Sequence, residues 1–202
     1  MRRESVVIRE ANSTYEDGFA YARYVDVASE GGLRYALGRR FADIIAAAFT
    51  FADHDLSYEH TVFAELDGAI VGMASGYTSE QHARSSDQPL REAPGNRAFR
   101  GMSLALLRLF LRIVGNHADG DFYLHFLAVD ESVRGQGVGS SLMALMEKRA
   151  RDSGSARFTL DVAAKNDGAA RLYARQGLAI EPVASKRSLR PLFVHRMVKD
   201  LE

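Results

Sequence analysis

The spacing of apolar residues along the chain predicts a succession of helices and strands. Apolar residues recur at helical spacing in the segments 14–29, 33–51, 102–114, 138–152 and 167–176. Short alternating or continuous apolar runs predict strands at 5–9, 60–66, 69–77, 121–129, 157–162, 178–183 and 191–198. Asp67-Gly68 lies between two of these strands and favours a tight hairpin, because both residues tolerate a positive φ.

The order of these elements predicts an α/β (α+β) domain with a mixed sheet. After an N-terminal hairpin, the second half of the chain runs strand, helix, strand, helix, strand, strand. Residues 79–100 are polar and include Pro89, Pro94 and Gly95, so a long loop is expected there. Because the sequence contains no repeat and no low-complexity linker, we expect one domain over residues 1–202.

Composition and charge argue against several classes of protein. Lys plus Arg total 26 and so do Asp plus Glu, and this zero net charge argues against nucleic acid as a partner. The absence of cysteine excludes disulfides, thiolate zinc sites and cysteine nucleophiles, and it suits a reducing cytoplasm. The apolar segment 102–114 is too short to span a bilayer and contains Arg108 and Arg112, so no membrane partner is expected. His54 and His60 do not lie at a recognisable metal-ligand spacing; we expect surface loop residues and no metal.

A glycine-rich turn joins the strand predicted at 121–129 to the helix predicted at 138–152. Its sequence is Arg134-Gly135-Gln136-Gly137-Val138-Gly139-Ser140. Alternating glycines let backbone N–H groups point inward, and a helix N-terminus adds partial positive charge, so the turn predicts a cradle for a pyrophosphate. A Walker A loop requires a lysine after its last glycine, and a dinucleotide fingerprint requires Gly-x-Gly-x-x-Gly. The turn has neither.

The glycine-rich turn resembles the Arg/Gln-x-x-Gly-x-Gly/Ala motif of the GNAT acetyltransferases, at Arg134, Gly137 and Gly139. A second motif of that family, Asn-x-x-Ala-x-x-x-Tyr-x-x-x-Gly, is matched downstream by Asn166, Ala169, Tyr173 and Gly177.

The segment Leu127-Ala128-Val129-Asp130 is similar to the strand end that precedes the first motif, although Glu131 stands where proline is common. Leu178 stands where the family often has phenylalanine. The close resemblance covers about residues 123–178.

This resemblance implies a GNAT-like fold, with a mixed, mostly antiparallel central sheet flanked by helices and a splayed strand pair at the cofactor site. It implies an acetyl-CoA-dependent N-acetyltransferase that moves the acetyl group directly to a primary amine of a small molecule, peptide or protein. Homodimers are common in the family and are expected here. Two alternatives stay open: a non-catalytic acyl-CoA-binding sensor and, less favoured by the zero net charge, a nucleic-acid- or ribosome-associated acetyltransferase.

The resemblance also assigns individual residues to the acetyl donor. The residues that it places against acetyl-CoA are Leu127, Ala128, Val129, Arg134, Gly135, Gln136, Gly137, Val138, Gly139, Ser140, Asn166 and Tyr173. Backbone groups near Leu127 and Val129 are expected to bind pantetheine, and N–H groups of residues 135–140 the pyrophosphate. Asn166 suits a helix N-cap equally well. Tyr173 holds the position of the general acid that protonates the leaving thiolate, and a packing tyrosine on an amphipathic helix is the alternative.

The base that takes the proton from the amine is less determined. In a regular strand His125 and Leu127 share one face, which places His125 beside the acetyl-transfer site. A histidine pKa near ~6.5 suits proton removal at neutral pH. Some GNAT members, the arylalkylamine N-acetyltransferases, carry a histidine at this offset; a satisfied core histidine is the alternative. Asp121 and Glu65 are weaker candidates, for which an exposed carboxylate is the simpler interpretation.

Overall fold

The helices and strands follow the predicted order closely. The computed structural model describes residues 6–93, 118–182 and 194–202. Its helices are α1 (Tyr15–Ala28), α2 (Gly32–Leu37), α3 (Phe41–Phe49), α4 (Ser79–Arg84), α5 (Gln88–Glu92), α6 (Val138–Asp152) and α7 (Asp167–Arg175). Its strands are β1 (Val7–Glu10), β2 (Thr61–Leu66), β3 (Ala69–Thr78), β4 (Asp121–Val129), β5 (Arg157–Ala163), β6 (Ala179–Ile180) and β7 (Val194–Asp200).

Capping and turn residues set several of these boundaries. The Thr14 side chain accepts a hydrogen bond from an N–H of the first turn and caps α1. Gly177, with a φ of +88°, follows the end of α7 in the left-handed region that favours glycine. Asp67 and Gly68 have φ values of +51° and +78°, so the hairpin between β2 and β3 is confirmed.

The described strands form one seven-stranded sheet in the order β1-β2-β3-β4-β5-β7-β6. Neighbouring strands are antiparallel except β4 and β5, which are parallel. The expected mixed, mostly antiparallel sheet is therefore confirmed. Its single parallel pair lies in the middle, between the hairpin half and the C-terminal half.

Helices cover both faces of this sheet and form two apolar layers. On one face Leu142 and Met146 of α6 are fully buried against the sheet, and Leu172 of α7 packs against the same layer. On the other face Tyr21 of α1 and Phe49 of α3 are fully buried in a second layer. The two faces are called the α6 face and the α1 face below.

Two predicted segments differ from the structure. The helix expected over 33–51 is two helices joined by a 3-10 turn, because Gly38 adopts a φ of +70° and interrupts the first. The loop expected over 79–100 is wrong for residues 79–92, which contain α4 and α5. Thr78 and Gln81 form a capping box at the start of α4, and Pro89 lies in the first turn of α5.

The helix expected over 102–114 lies outside the described residues, as do parts of the last two predicted strands. Of those strands, the described parts are β6, which is two residues long, and β7 from Val194. Within the ranges that the structure describes, no helix has both the length and the apolar character needed to cross a bilayer.

Candidate active site

The two central strands separate and leave a gap in the sheet. Pairing of β4 with β5 runs from Asp121 with Arg157 to Leu124 with Leu160. In the described chain it goes no further, although β4 continues to Val129 and β5 continues along β7. The expected splayed strand pair is present, and its gap opens at His125.

A β-bulge in β4 lies at the apex of this gap. Ser75 of β3 pairs with Phe126 and the next residue, Gly76, pairs with Leu124, so His125 is left over. Leu124 packs in the apolar layer of the α6 face, whereas Phe126 packs in that of the α1 face. The bulge therefore shifts the alternation by one residue.

The expectation that His125 shares a face with Leu127 is consequently wrong. Leu127 packs against the layer of the α6 face. The His125 ring instead stacks on Phe126, with ring centroids 3.9 Å apart, and lies 5.3 Å from the ring of Tyr77. Regular alternation failed here because the extra residue of a bulge leaves no trace in the pattern of apolar residues.

Backbone groups beyond the bulge face the gap. The N–H of Asp130 donates to the Val71 carbonyl at 2.9 Å, toward β3. Hydrogen bonding alternates along an antiparallel pair, so Ala128 also bonds β3 while Leu127 and Val129 direct their N–H and C=O groups to the opposite edge. That edge borders the gap.

The glycine-rich turn presents backbone N–H groups at the start of α6. Gly135 and Gly137 adopt φ values of +76° and +90°, and added methyl groups on them would meet no atom within 4 Å. Val133 and Val138 are buried and anchor the exposed stretch between them. The first N–H groups of a helix have no acceptor within it, and α6 has no side-chain cap. The Gln136 N–H donates to the Val133 carbonyl at 3.4 Å, so the turn offers open space beside its two glycines and the unpaired first-turn N–H groups of α6.

The side chains of this turn point elsewhere. Arg134 forms an ion pair with Glu131 at 3.1 Å, with both side chains more than half exposed. Gln136 donates from its amide to the Ser132 carbonyl at 3.2 Å. Main-chain groups rather than side chains therefore face the open space beside the two glycines.

Tyr173 lies in the apolar layer of the α6 face, close to the gap. Burial raises its pKa to about 12, so the phenol stays protonated at neutral pH and remains a proton donor. Burial and the Asp161 carboxylate raise the pKa of Tyr123 well above 10. Tyr173 also raises the pKa of Tyr123, so the phenols of Tyr123 and Tyr173 are close enough to interact electrostatically.

The Tyr123 phenol belongs to a buried network on β4, β5 and β7. It donates to Asp161 at 3.3 Å, and Asp161 forms an ion pair with Arg196 at 2.7 Å. Both charged side chains are 3% exposed. Asp161 and Arg196 are cross-strand partners in β5 and β7, and removal of either would leave the other charge buried beside the gap.

Asn166 is an N-cap in the structure. Its Oδ1 accepts the N–H of Ala169 at 3.0 Å and satisfies one donor of the first turn of α7. The cofactor role that the resemblance implies is compatible with this cap and stays a prediction.

The two carboxylates considered as alternative bases are both paired with arginine. Asp121 is 1% exposed and accepts hydrogen bonds from Arg157 at 2.8 and 2.9 Å, so its interpretation as an exposed carboxylate is wrong. Glu65 accepts from Arg9 at 2.6 Å and is partly buried on the edge of the sheet next to β1. Neither arrangement leaves a carboxylate directed at the gap.

A polar cluster on the α1 face was missed by sequence reasoning. Tyr77 lies at its centre, with ring centroids 5.3 to 5.8 Å from those of His60, His82 and His125. His82 Nδ1 lies 2.9 Å from Asp55 Oδ2, within hydrogen-bond distance. The one sequence signal that could have indicated part of this cluster is the Thr-x-x-Gln capping box at the start of α4, the helix that carries His82.

His54 and His60 were expected on the surface and are buried instead, at 2% and 7% exposure. His54 Nε2 lies 2.8 Å from the Ala48 carbonyl, and its Nδ1 accepts the Leu56 N–H at 3.3 Å. A neutral imidazole satisfies both contacts because it has one donor and one acceptor. Among residues 6–93, 118–182 and 194–202, no group of three or more His, Cys, Asp or Glu side chains is arranged to hold a metal ion.

These buried histidines predict a loss of stability in mild acid. Burial lowers the pKa of His54 and His60, and that of His125 to about 4. The unfolded chain then binds more protons between the ordinary value of 6.5 and about 4, so the free energy of unfolding falls as the pH drops through that window. Urea unfolding at about pH 7 and about pH 5 measures this fall in the free energy of unfolding. In His54→Gln the free energy of unfolding should depend less on pH. A urea midpoint that does not change with pH would contradict this account.

The chain matches known acetyltransferases over much of its length. A family model described as the Acetyltransferase (GNAT) family matches residues 32–178, well over half of the chain. Acetyltransferase Atu2258 of Agrobacterium fabrum (strain C58 / ATCC 33970) is 35% identical over 81 residues, in a match that covers 38% of this chain. The match spans 58% of that relative's length.

Solved structures share the fold over nearly the whole chain. One crystal structure of an acetyltransferase has a TM-score of 0.69 at 28% identity, over 97% of this chain and 100% of that one. The N-acetyltransferase from Staphylococcus aureus Mu50 has a TM-score of 0.71 over 96% of this chain and 100% of its own, and at 18% identity it shows the fold alone. With the family model matched across the splayed strands and the glycine-rich turn, this chain belongs to the GNAT acetyltransferase family and is an acyltransferase.

Proposed function

We propose that this acetyltransferase takes the acetyl group from acetyl-CoA and transfers it directly to a primary amine of a small molecule, peptide or protein. The observation that carries the proposal is the glycine-rich turn at the start of α6, where two left-handed glycines leave open space before uncapped N–H groups. Its position beside a gap bordered by unpaired backbone of β4 suits a ligand with a phosphate end and an extended amide arm.

The residues present fit the acetyl donor. N–H groups of residues 135–140 would hold the pyrophosphate, since a helix N-terminus favours negative charge and backbone donors need no side-chain ordering. Backbone groups of Leu127 and Val129 would bind the pantetheine amides as a neighbouring strand does. Arg134, whose charge is directed at Glu131, would contribute through its backbone. When bound, acetyl-CoA supplies the thioester whose carbonyl carbon the amine attacks.

Two side chains near the gap are assigned to proton transfer. His125, at the bulge, accepts the proton that the amine must lose, directly or through a water molecule. The backbone N–H near Leu127 stabilises the negative charge that develops on the carbonyl oxygen. With acetyl-CoA bound, Tyr173 would give its proton to the departing sulfur as the C–N bond forms and the C–S bond breaks. Burial keeps Tyr173 protonated for that step.

Isothermal titration with acetyl-CoA, against ATP and NAD as controls, tests the proposal. We expect selective binding of acetyl-CoA, followed by release of free thiol when amine acceptors are screened. Binding without turnover across a broad amine panel would support a non-catalytic acyl-CoA sensor instead. Folded protein that does not bind acetyl-CoA would overturn the assignment of the turn.

We also propose a cytoplasmic location and a homodimer. The cysteine-free sequence suits a reducing compartment, and dimers are common in the family. Fractionation and light scattering of the purified protein test the two statements.

A further inference from the structure

Several buried polar atoms on the α1 face have no hydrogen-bond partner. They are the Tyr21 hydroxyl, the Ser75 hydroxyl, Asp55 Oδ1 and His125 Nδ1. Most buried polar groups in proteins are paired, so a group of buried polar atoms without hydrogen bonds of normal geometry calls for an explanation, such as a binding or catalytic role. The four side chains that carry these atoms are also neighbours of one another.

The contacts among these side chains place them in one region. The phenol of Tyr21 lies beside Ser75 and within electrostatic reach of Asp55. His125 lies close to the backbone and the carboxylate of Asp55. Tyr21 and Ser75 are both fully buried, whereas the Asp55 side chain is 26% exposed and that of His82 is 40% exposed. The region therefore has a closed inner end and a wetter outer end.

This region adjoins the apex of the gap in the sheet. His125 is the bulged residue at the apex of the gap, and its ring is directed to the α1 face. The glycine-rich turn begins α6, on the opposite face. A thioester that reaches through the gap would thus meet an acceptor that approaches from Asp55 and His82.

The chemistry of the unpaired atoms fits a cationic amine. A primary ammonium has three N–H donors, and the region offers a carboxylate oxygen, two hydroxyl oxygens and an imidazole nitrogen as acceptors. Burial keeps His125 neutral, so it accepts a hydrogen bond rather than repelling a cation. An anionic acceptor would face the Asp55 carboxylate and be repelled.

We propose that this region is the acceptor site, that Asp55 binds the ammonium group of a primary amine, and that His82 passes the amine's proton to solvent. The inference rests on the proposed acetyl transfer and identifies where its amine acceptor binds. Asp55 touches the acceptor, whereas His82 acts through Asp55 and is a positioning and relay residue.

The proton has a defined route outward. One N–H bond of the ammonium breaks and His125 takes the proton, which passes to the Asp55 carboxylate. A neutral His82 that carries its own proton on Nε2 then accepts it from Asp55 at Nδ1 and becomes an imidazolium paired with the carboxylate. The freed lone pair forms the C–N bond, and His82 then releases the proton to water. Asp55 raises the pKa of His82, whereas burial lowers that of His125, so the proton is held more strongly at the exposed end.

The groups that face this route come from several elements. Asp87, which precedes α5, also raises the pKa of His82. His60 and His82 both act against protonation of His125. Burial acts to raise the pKa of Asp55, but His82 and His125 hold it below its usual value. Asp55 is thus ionised at neutral pH.

Asp55→Asn tests the proposal through a pH profile. We expect kcat/KM of the wild type to rise with pH through a value above the ordinary 6.5 of histidine, because His82 must be neutral to accept the proton. In Asp55→Asn, kcat/KM should be at least about tenfold lower than in the wild type. The pH at which kcat/KM rises should also be lower, and the affinity for acetyl-CoA should be unchanged. Asp152→Asn, an exposed aspartate on α6, is the matched control.

A second measurement needs no turnover. Histidine side-chain NMR signals of CoA-saturated protein are followed while n-butylamine is added, with n-butanol as the uncharged control and His82→Gln to assign one signal. We expect n-butylamine alone to shift the His82 and His125 signals, and Asp55→Asn to abolish the shift. Equal responses to both compounds, or an unchanged response in Asp55→Asn, would overturn the acceptor site. Failure of CoA to bind would instead point to the proposed function itself.

Discussion

Tyr173→Phe should lower kcat by about 100-fold or more and leave the affinity for acetyl-CoA nearly unchanged. The substitution removes one oxygen from a ring that is buried in the apolar layer of the α6 face, so the packing of α7 is retained. It removes the phenol that burial keeps protonated at neutral pH. The loss therefore falls on the step in which the thiolate leaves, which is where a general acid acts. Steady-state kinetics with a free-thiol readout and titration with acetyl-CoA separate the two effects.

Tyr123→Phe is the matched control for this experiment. Tyr123 is also a buried tyrosine beside the gap, but its hydroxyl donates to Asp161 instead of facing the reaction. We expect it to lower thermal stability more than Tyr173→Phe does and to lower kcat less. If Tyr173→Phe retained full turnover, Tyr173 would be a packing residue and the general acid would have to be sought elsewhere.

The parts of the fold that the sequence predicted are those with strong local signals. β4 and α6 were predicted to the residue because an apolar strand, a glycine-rich turn and an amphipathic helix follow one another with sharp boundaries. The hairpin at Asp67-Gly68 was equally local. By contrast, α4 was missed: its six residues carry no apolar face, and a capping box was the one signal of its start.

The candidate site divides in the same way. The alternating glycines and the N-cap Asn166 act through local backbone geometry, so the turn and the cap could be predicted from residue type, whereas their roles toward the acetyl donor came from the family resemblance. The cluster of Asp55, Tyr77 and His82 is assembled from a loop, a strand and a short helix, and these meet only in the folded sheet. The face of His125 was predicted wrongly because a bulge is a property of strand pairing, which one strand's sequence does not report.

Gly137→Val should weaken acetyl-CoA binding by about 100-fold, or about 2.7 kcal/mol. Gly137 precedes α6 with a φ of +90°, a conformation that a β-branched residue adopts only with strain. Relief of that strain would turn the N–H groups of the first turn away from the phosphate oxygens, and hydrogen bonds to charged groups are the strong ones. Isothermal titration measures the affinity, and circular dichroism confirms that the variant is folded.

Gly154→Val separates lost binding from general strain. Gly154 follows the other end of α6, adopts a φ of +72° and, like Gly137, has no atom within 4 Å of an added methyl group. Both variants should therefore lose similar stability, on the order of 1–2 kcal/mol. A loss of affinity confined to Gly137→Val assigns the N-terminus of α6 to the pyrophosphate, because the strain is matched and the position alone differs. Equal affinities in the two variants would mean that the turn does not hold the acetyl donor.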